Sequence, residues 1–371
     1  MKSITYITYQ SFPAETANSL QTISNIKYLV KNNAEVHLIF PIREKSSNAN
    51  IDVIKNYYSI KENFKVTGYR HYLPFGRIKV FEGFFFNISH FLWSLFVVSF
   101  KIKKTSNQTF ITRSDWVLYF LARQNRVVLF ECHQVSRVRT FVLNKVKKLK
   151  NVKIVFLNKN LQTFYGMNND NSSVLHNGVD SDIFNKKKYE MNFDKKEIIF
   201  VGNLKRFNKE RGVDFIINSF LNSDFLKRYI LSIVGGPNDE AEKISKEINS
   251  LDLADNIKII GRVHRSEISS IYENAKIGIL INSSSDLHSY KYTSPLKYFE
   301  YLYLGLRVVA VDFPSHRVLP GSEDIIFFEE NNSSSFEKAI KKALELPVNI
   351  DHSVTDITLN IRAKKILNLI M

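Results

Sequence analysis

Apolar and polar positions alternate along this chain in the manner of an α/β protein. In the first half, short apolar runs such as 4–8 and 127–132 predict strands, and amphipathic helical patterns separate them. The second half repeats the scheme, from a strand at Glu197–Val201 to one at Arg307–Val311. Strands that alternate with helices favour a parallel sheet covered on both faces. The pattern therefore predicts two doubly wound halves with a cleft between them.

The same patterns predict the remaining elements and the domain boundaries. Further strands are expected at 35–40, Thr109–Thr112, 152–157, 229–234, Ile257–Ile260 and 277–281. Helices are expected at about 16–32, 84–103, 116–123, 135–150, 212–223, 239–250, 266–275, 295–304 and 356–371. We expect an N-terminal domain of residues 1–180 and a C-terminal domain of residues 181–355. The polar segment 186–196 is the expected linker.

Two features bear on membranes and on the cellular compartment. No window of the sequence holds 18 uninterrupted apolar residues; the most apolar one, 84–100, is interrupted by serine, asparagine and histidine. We interpret it as a buried helix, with a membrane-dipping helix as the alternative. Residues 1–9 predict a first strand and lack the apolar core and cleavage site of a signal peptide. The single Cys132 cannot form an intrachain disulfide, which predicts reducing cytoplasm.

The net charge of +16 is concentrated in the first half of the chain. Residues 1–180 hold 25 Lys and Arg against 10 Asp and Glu, whereas residues 181–371 are nearly balanced. The segment 135–150 predicts a basic amphipathic helix, which can lie on an anionic membrane or against a polyprenyl-phosphate carrier. A solvated face of an ordinary helix is the alternative. Nucleic acid is a weaker candidate, because no recognised binding motif is present.

The stretch 294–301, Ser-Pro-Leu-Lys-Tyr-Phe-Glu-Tyr, says most about function. Pro295 suits the first position of a helix, and Ser294 can cap it, which makes the helix N-terminus an anion site. Glu300 lies too deep in this helix to act as a cap. A helix N-terminus with a carboxylate behind it suits a nucleotide diphosphate whose ribose hydroxyls donate to Glu300.

This ordered set resembles the donor-site signature of glycosyltransferase family 4, the retaining GT-B enzymes that use nucleotide sugars. The resemblance covers most of the chain and is strongest from about residue 174 to 320. It implies two Rossmann-like domains that face a central cleft, with the last helix, 356–371, packed back on the first domain. It also implies transfer without a protein nucleophile, a metal or a further cofactor. The expected co-substrate is a UDP- or GDP-sugar.

The resemblance extends to a set of donor contacts. A glycine turn at Gly202 would let the backbone approach the diphosphate, and a nearby cation would compensate its charge. The family usually has lysine where this chain has Arg211, and often arginine where it has Asn203. The expected donor contacts are Gly202, Asn203, Lys205, Lys209, Arg211, Val263, Thr293, Ser294, Leu296 and Glu300.

The expected reacting and acceptor residues lie mainly in the first domain. His133 follows the strand 127–132, at the strand end where ligands bind in open parallel sheets. Family members often carry a histidine here that contacts the donor sugar, so His133 and Glu300 are the expected catalytic residues; a structural histidine is the alternative. Glu131 can fix the tautomer of His133. The expected acceptor contacts, which can equally cap and line their own helix, are Glu15, Asn18 and Gln21.

One departure from the family affects how the donor sugar would be held. Many members carry two glutamates eight positions apart, of which the first usually contacts the sugar. Glu300 matches the second, but Tyr292 stands at the first position. The neighbouring polar residues that can substitute for it are Asp286, His288 and Lys291.

The sequence thus predicts a glycosyltransferase that moves a sugar from a nucleotide-diphosphate sugar to a glycan or lipid-linked acceptor. Surface polysaccharide biosynthesis, such as that of capsule or O-antigen, is the expected pathway. The expected location is the cytoplasm, at the inner face of the plasma membrane, with the basic helix 135–150 on anionic lipid. Two alternatives stay open: a non-catalytic, nucleotide-sugar-binding partner subunit, and another GT-B enzyme such as a nucleotide-sugar epimerase.

Overall fold

The computed structural model describes residues 2–43, 45–71, 80–102, 108–168, 170–184, 197–206, 209–250, 256–264, 267–346 and 357–370. The chain divides into two compact units: residues 1–175 together with 359–371, and residues 176–358. The predicted linker, 186–196, lies outside the described residues. Each unit contains one parallel sheet, so the predicted α/β architecture is confirmed.

The first unit is built on a seven-stranded parallel sheet with the order β3-β2-β1-β4-β5-β6-β7. Its elements are β1 (Lys2–Ile7), α1 (Ala17–Lys31), β2 (Ala34–Ile42), α2 (Ile51–Tyr58), β3 (Lys65–Arg70), α3 (Glu82–Phe96), β4 (Thr109–Thr112), α4 (Asp115–Arg123), β5 (Val128–Cys132), α5 (Arg137–Val146), β6 (Val152–Phe156), α6 (Lys159–Phe164) and β7 (Ser172–Val174). A π-helical turn, Val97–Lys101, extends α3. Side-chain oxygens of Thr16 and Ser136 cap α1 and α5, as their positions before the helical patterns favour.

The second unit is built on a six-stranded parallel sheet with the order β12-β11-β8-β13-β14-β15. Its elements are β8 (Glu197–Val201), the short pair β9 (Lys205–Arg206) and β10 (Lys209–Glu210), α7 (Val213–Leu221), β11 (Ile230–Val234), α8 (Asn238–Asn249), β12 (Ile257–Ile260), α9 (Ile268–Ile271), β13 (Ala275–Leu280), α10 (Leu296–Tyr303), β14 (Arg307–Val311), α11 (Pro314–Arg317), β15 (Ile326–Phe328) and α12 (Ser333–Glu345). Alternate residues of β8 enter different apolar clusters, Ile198 and Phe200 in one and Ile199 and Val201 in the other. Both faces of this sheet are therefore covered.

The last helix, α13 (Leu359–Leu369), packs on α1 within the first unit. Leu359, Ala363 and Ile366 are buried in that unit's core. At the helix surface, Asn32 Nδ2 donates to Asn360 Oδ1 at 2.8 Å. The chain thus returns to its first unit after completing the second.

The structure adds elements that the patterns did not predict and shortens others. Both α2 and β3 were missed; β3 lies at the edge of its sheet, and none of its residues is buried. The predicted basic helix ends at Val146 rather than at residue 150, and α9 is shorter than the predicted 266–275. Arg139, which the pattern places on the basic face of the predicted helix, is instead buried and paired with Asp115 at 2.7 Å.

The prediction of a buried helix is wrong for one face of α3. Its polar residues turn inward, and the buried set is Ser89, His90, Trp93 and Ser94. Its apolar residues at a spacing of four turn outward: Phe84, Ile88, Leu92, Phe96 and Phe100, each 40% to 75% exposed, form what we call the α3 ridge. By length and composition alone, Glu82–Lys101 is apolar enough to cross a membrane, a test that core helices of soluble proteins also pass.

Candidate functional site

Two glycine turns meet where β8 and β11 end in the second unit. The Gly202 N–H donates to the Val234 carbonyl at 2.8 Å, and the Leu204 N–H donates to the Gly236 carbonyl at 2.8 Å. Gly235 has φ of 154°, and a Cβ there would lie 1.6 Å from the Gly202 carbonyl oxygen. The two backbones therefore touch, at the strand ends where ligands bind in open parallel sheets.

Arg211 lies beside this turn, at the end of the β10 segment. Its Nε donates to Asn282 Oδ1 at 3.0 Å, and its Nη2 contacts the same oxygen. Asn282 follows β13, so this hydrogen bond fixes the guanidinium at the carboxyl ends of the strands. Gly212 comes next with φ of 82°, where a Cβ would meet the side chain of Ile281 at 2.6 Å. The arginine is thus held in place by its neighbours, and sequence reasoning did not foresee the role of Asn282.

The helix α10 starts one residue later than predicted and is capped differently. Pro295 has extended backbone angles and precedes the first helical residue, Leu296. Ser294 does not cap the helix, because its hydroxyl accepts from the Asn177 N–H at 3.2 Å. The Asn177 side chain also donates to the Ser294 carbonyl at 2.5 Å. The prediction of a serine cap is therefore wrong, although the N-terminus of the helix keeps its electrostatic preference for an anion.

Glu300 is held by a tyrosine that the sequence did not single out. Tyr272, which is fully buried, donates its hydroxyl to Glu300 Oε2 at 2.6 Å. The second carboxylate oxygen of Glu300 can still accept from a ligand hydroxyl, since a carboxylate has about four acceptor positions. Tyr272 thus orients the carboxylate that is expected to bind ribose.

Lys297 was missed as a site residue, although it lies three residues before Glu300 in the same motif. Its ammonium nitrogen reaches the Gly202 turn, where a Cβ on Gly202 would lie only 2.1 Å from Nζ. The same nitrogen lies 5.3 Å from the centre of the Phe200 ring. The spacing of three on one helix could have indicated this residue, because i and i+3 side chains share a face.

The other predicted donor contacts differ in what surrounds them. Lys205 pairs with Glu240 at 2.6 Å, so its charge is already compensated within the protein. Asn203 is exposed, Thr293 and Leu296 are half-buried, and Val263 packs against the apolar cluster of this unit. Lys209 belongs to β10, and its side chain lies outside the described part of the structure.

Tyr292 stands where the family usually has a glutamate. It is buried, and burial raises the pKa of its hydroxyl. Among the possible substitutes, Asp286 accepts from the Ser289 hydroxyl at 2.8 Å and from the His288 N–H at 3.2 Å. Asp286 thus stabilises the π-helical turn His288–Tyr292.

In the first unit, His133 belongs to a chain of polar contacts where β4 and β5 end. Arg113 Nη2 lies 2.8 Å from His133 Nδ1, and Arg113 Nη2 also donates to Asn18 Oδ1 at 2.8 Å. A guanidinium can only donate, so the neutral imidazole carries its proton on Nε2. Arg113 follows β4 as His133 follows β5, and the strand-end rule could have identified it.

The predicted role of Glu131 is wrong. Its carboxylate accepts from the Tyr6 hydroxyl at 2.7 Å and from Arg362 Nη2 at 2.6 Å, and Asn25 lies within hydrogen-bond distance. Burial alone would raise its pKa, but Arg362 and Arg113 hold the pKa of Glu131 below its usual value. Glu131 therefore stays ionised and ties α13 to the sheet, while Arg113 orients His133.

The two other predicted acceptor residues lie in or just before α1, the helix that contains Asn18, but in different surroundings. Glu15 is exposed before α1, and Gln21 is buried in its second turn. A second polar group follows β1, β2 and β3: the Tyr9 hydroxyl lies 2.6 Å from His71 Nε2, and the Arg43 guanidinium lies 4.7 Å from the Tyr9 ring centre. This edge of the first sheet thus carries positive and hydroxyl groups.

Comparison of the sequence with known families identifies the second unit. Residues 181–358, slightly less than half of the chain, match the family described as "Glycosyl transferases group 1". The chain is a glycosyltransferase. The matched segment includes Gly202, Arg211, Lys297 and Glu300. A search of curated proteins finds no sequence that matches this glycosyltransferase.

Solved structures share the fold of this glycosyltransferase over its whole length. A glycosyltransferase from Rickettsia africae is 15% identical with a TM-score of 0.66, and the match covers 100% of this chain and 97% of that one. An E. coli structure described as "Trehalose-6-phosphate" bound with UDP-2-fluoro glucose is 9% identical with a TM-score of 0.68, covering 100% and 99%. The catalytic domain of starch synthase IV from Arabidopsis thaliana, bound to ADP and acarbose, is 11% identical with a TM-score of 0.64, covering 100% and 98%. The predicted GT-B fold is confirmed.

The second unit of this glycosyltransferase contains groups suited to different parts of a nucleotide sugar. The glycine turns allow close backbone approach, while Arg211 and Lys297 supply positive charge. Glu300, oriented by Tyr272, supplies an acceptor for hydroxyl groups. Positive charge fixed in advance lowers the free energy of a leaving group that gains negative charge.

Proposed function

We propose that this glycosyltransferase moves a sugar from a UDP- or GDP-sugar to a lipid-linked glycan, with retention of anomeric configuration. The observation that carries the proposal is the convergence of the glycine turns, Arg211 and Lys297 at the carboxyl ends of β8 and β13, with the Tyr272–Glu300 pair on the same helix as Lys297. The diphosphate binds at the Gly202 turn and the N-terminus of α10, and Glu300 accepts from the ribose. A pocket of this charge stabilises the departing nucleoside diphosphate.

The acceptor is proposed to bind to the first unit. The edge that carries Arg43, His71 and Arg113 offers donors to the phosphates of a polyprenyl-linked glycan. His133, with its Nε2–H outward from Arg113, contacts the sugar that is transferred. Asn18, Glu15 and Gln21 bind acceptor hydroxyls. A lipid-linked acceptor places the enzyme in surface polysaccharide biosynthesis, at the cytoplasmic face of the plasma membrane.

The α3 ridge supports the membrane part of this proposal. Apolar side chains point to solvent while serines and a histidine point inward, the arrangement expected of a helix that lies in a lipid interface. Phe91, Trp116 and Phe141 connect α3 to α5, with ring centres 4.9 Å and 6.3 Å apart. Lys145 lies 5.9 Å from the Phe141 ring and Lys101 lies 5.0 Å from the Phe96 ring. Cations that border an apolar ridge fit an anionic bilayer.

Nucleotide-dependent thermal stabilisation tests the donor site. We expect one of UDP, GDP, ADP or CDP, or one of their common sugar conjugates, to raise the melting temperature of the wild type. Glu300→Ala should lose most of that increase, because the ribose hydroxyls lose their acceptor. Glu242→Ala, at an exposed position of α8, is the matched control and should behave like the wild type.

The outcomes separate the proposed function from its rivals. Absence of stabilisation by every nucleotide would contradict the donor site. Stabilisation without sugar transfer to any lipid-linked acceptor would favour a non-catalytic binding subunit, for which Tyr292 in place of the family's glutamate is the supporting observation.

A further inference from the structure

We propose that Lys297 is the cation that binds the donor diphosphate and that it takes up a proton from solvent when the donor binds. This inference rests on the proposed function and gives it a specific residue and a pH dependence. The proton joins the side-chain amine as the anion enters, and no covalent bond changes.

The geometry brings Lys297 to the glycine turn where the diphosphate is proposed to bind. Lys297 lies in the first turn of α10, where helix N–H groups lack partners within the helix. Its side chain extends to the Gly202 turn, and only the missing side chain of Gly202 leaves room for Nζ. A ligand phosphate at this turn would therefore meet the amine and the helix N-terminus together.

The cationic side chains around this turn make different contacts. Lys205 is paired with Glu240, and Arg211 is hydrogen-bonded to Asn282. Lys297 instead faces the Phe200 ring and the glycine turn. An ammonium over an aromatic ring keeps a favourable contact and remains able to donate to an entering oxygen. Lys297 is thus a side chain that can deliver charge directly to the diphosphate, beside the guanidinium of Arg211.

The surroundings of Lys297 also explain why binding would take up a proton. Burial and, after it, the nearby Arg211 lower the pKa of Lys297 to about 7, while Glu300 opposes them. The free protein near neutral pH therefore holds a mixture of amine and ammonium. A diphosphate beside Nζ favours the ammonium, so the bound state holds more protons than the free state.

The pH dependence of donor binding tests the proposal. The probes are UDP-glucose, GDP-mannose and ADP-glucose, whose diphosphate is fully ionised throughout pH 6–9, so that a change in affinity reports on the protein. For a probe that binds, we expect the Kd of the wild type to rise roughly tenfold from pH 7.5 to pH 8.5. Lys297→Arg should bind with little dependence on pH, because a guanidinium stays charged. Lys297→Met, of similar volume, should bind weakly at every pH.

Chemical labelling provides a second measurement that does not require activity. Brief acetylation followed by mass spectrometry should modify Lys297 at a lower pH than Lys338, an exposed residue of α12. A bound nucleotide sugar should protect Lys297 and leave Lys338 reactive. Equal binding by wild type and Lys297→Met, or a bound probe that does not protect Lys297, would overturn this inference and leave the proposed donor site intact. If no probe binds the wild type, the donor site itself is refuted and the inference with it.

Discussion

Gly202 and Gly235 touch each other, yet a methyl group at each would meet a different obstacle. At Gly202 the nearest atom is the flexible end of Lys297, with the Phe200 ring next at 3.0 Å. At Gly235 it is a backbone carbonyl oxygen, and φ of 154° is itself unfavourable for any residue with a side chain. A side chain added at Gly202 would therefore disturb the ligand site, whereas one added at Gly235 would disturb the backbone of the fold.

This difference predicts separate effects of two alanine substitutions. Gly202→Ala should lower the free energy of unfolding by less than about 1 kcal/mol but weaken donor binding, because it displaces the amine of Lys297. Gly235→Ala should lower the free energy of unfolding by more than about 2 kcal/mol, since the backbone must move. Urea denaturation and nucleotide-sugar titration of both variants measure the two quantities. A donor affinity in Gly202→Ala equal to that of the wild type would contradict the prediction.

Arg113 is expected to act on the reaction through His133. Arg113→Met should lower kcat roughly 10- to 100-fold by freeing the ring to rotate, while the Kd for the donor stays unchanged. Arg113→Lys should restore part of kcat, because an ammonium can still donate to Nδ1. Arg123→Met, at an exposed position of α4, is the control. If Arg113→Met weakened donor binding as much as kcat, or if lysine gave no rescue, the positioning role would be wrong.

At the scale of elements, α3 inverts the usual distribution of side chains. A helix that packs in a core turns its apolar residues inward, whereas α3 buries Ser89, His90 and Ser94 beside Trp93 and exposes the α3 ridge. His90 stacks on Tyr9, with ring centres 4.4 Å apart. On the inward face the histidine ring thus packs on an aromatic ring of the first unit, and the outward face is left for a partner.

Two variants separate the apolar and the electrostatic parts of membrane binding. Replacing Phe84, Leu92 and Phe100 with serine should abolish binding to vesicles of anionic lipid at any salt concentration, since the apolar area that inserts is lost. Reversing the charge of Lys145 and Lys148 should weaken binding at low salt and matter less at high salt. Vesicle sedimentation measures both, and circular dichroism checks that the exposed positions leave folding unchanged. Full binding by the serine variant would remove the α3 ridge from the proposal.

For the whole molecule, sequence patterns predicted the sheets better than the contacts between distant segments. The periodicity of apolar positions indicates the type of an element and which of its faces is buried. The strands β8 and β14 were predicted with their observed bounds. Such periodicity does not determine which faces meet across the chain. The contacts of Lys297 with Gly202 and of Tyr272 with Glu300 join distant segments, and only the fold brings them together.

The predictions failed for the edge strand β3 and for the exposed face of α3, and the two failures have related causes. The strand β3 pairs on one side only and buries none of its residues, so it carries a weak apolar signal. The strongly apolar sequence of α3 predicts a helix clearly, but it does not indicate what covers the apolar face of that helix. Apolar content predicts that a face avoids water, but not whether protein or lipid provides the cover.

Buried histidines in both units predict that the free energy of unfolding already falls at pH values above those at which carboxylates titrate. Burial lowers the pKa of His90 to about 3 in the first unit and the pKa of His316 to about 4 in the second. His316 Nδ1 lies 2.8 Å from the Val311 carbonyl oxygen, so the neutral ring donates there. Below pH 6.5 the unfolded chain takes up protons at these residues and the folded chain does not. The free energy of unfolding should therefore fall with pH from about 6.5 down to the folded-state pKa values, by up to about 1.4 kcal/mol per pH unit for each histidine.

Urea denaturation at pH 7.0, 6.0 and 5.5 tests this expectation. His316→Gln should be less stable than the wild type at pH 7.0, yet its stability should fall less steeply with pH, because one of the two buried histidines no longer titrates in the unfolded chain. His264→Gln, at an exposed position, should keep the wild-type slope. A wild-type slope in His316→Gln would mean that His316 takes up its proton in the folded protein, which the closed packing around its ring argues against, since its side chain is fully buried and stacked on Phe313.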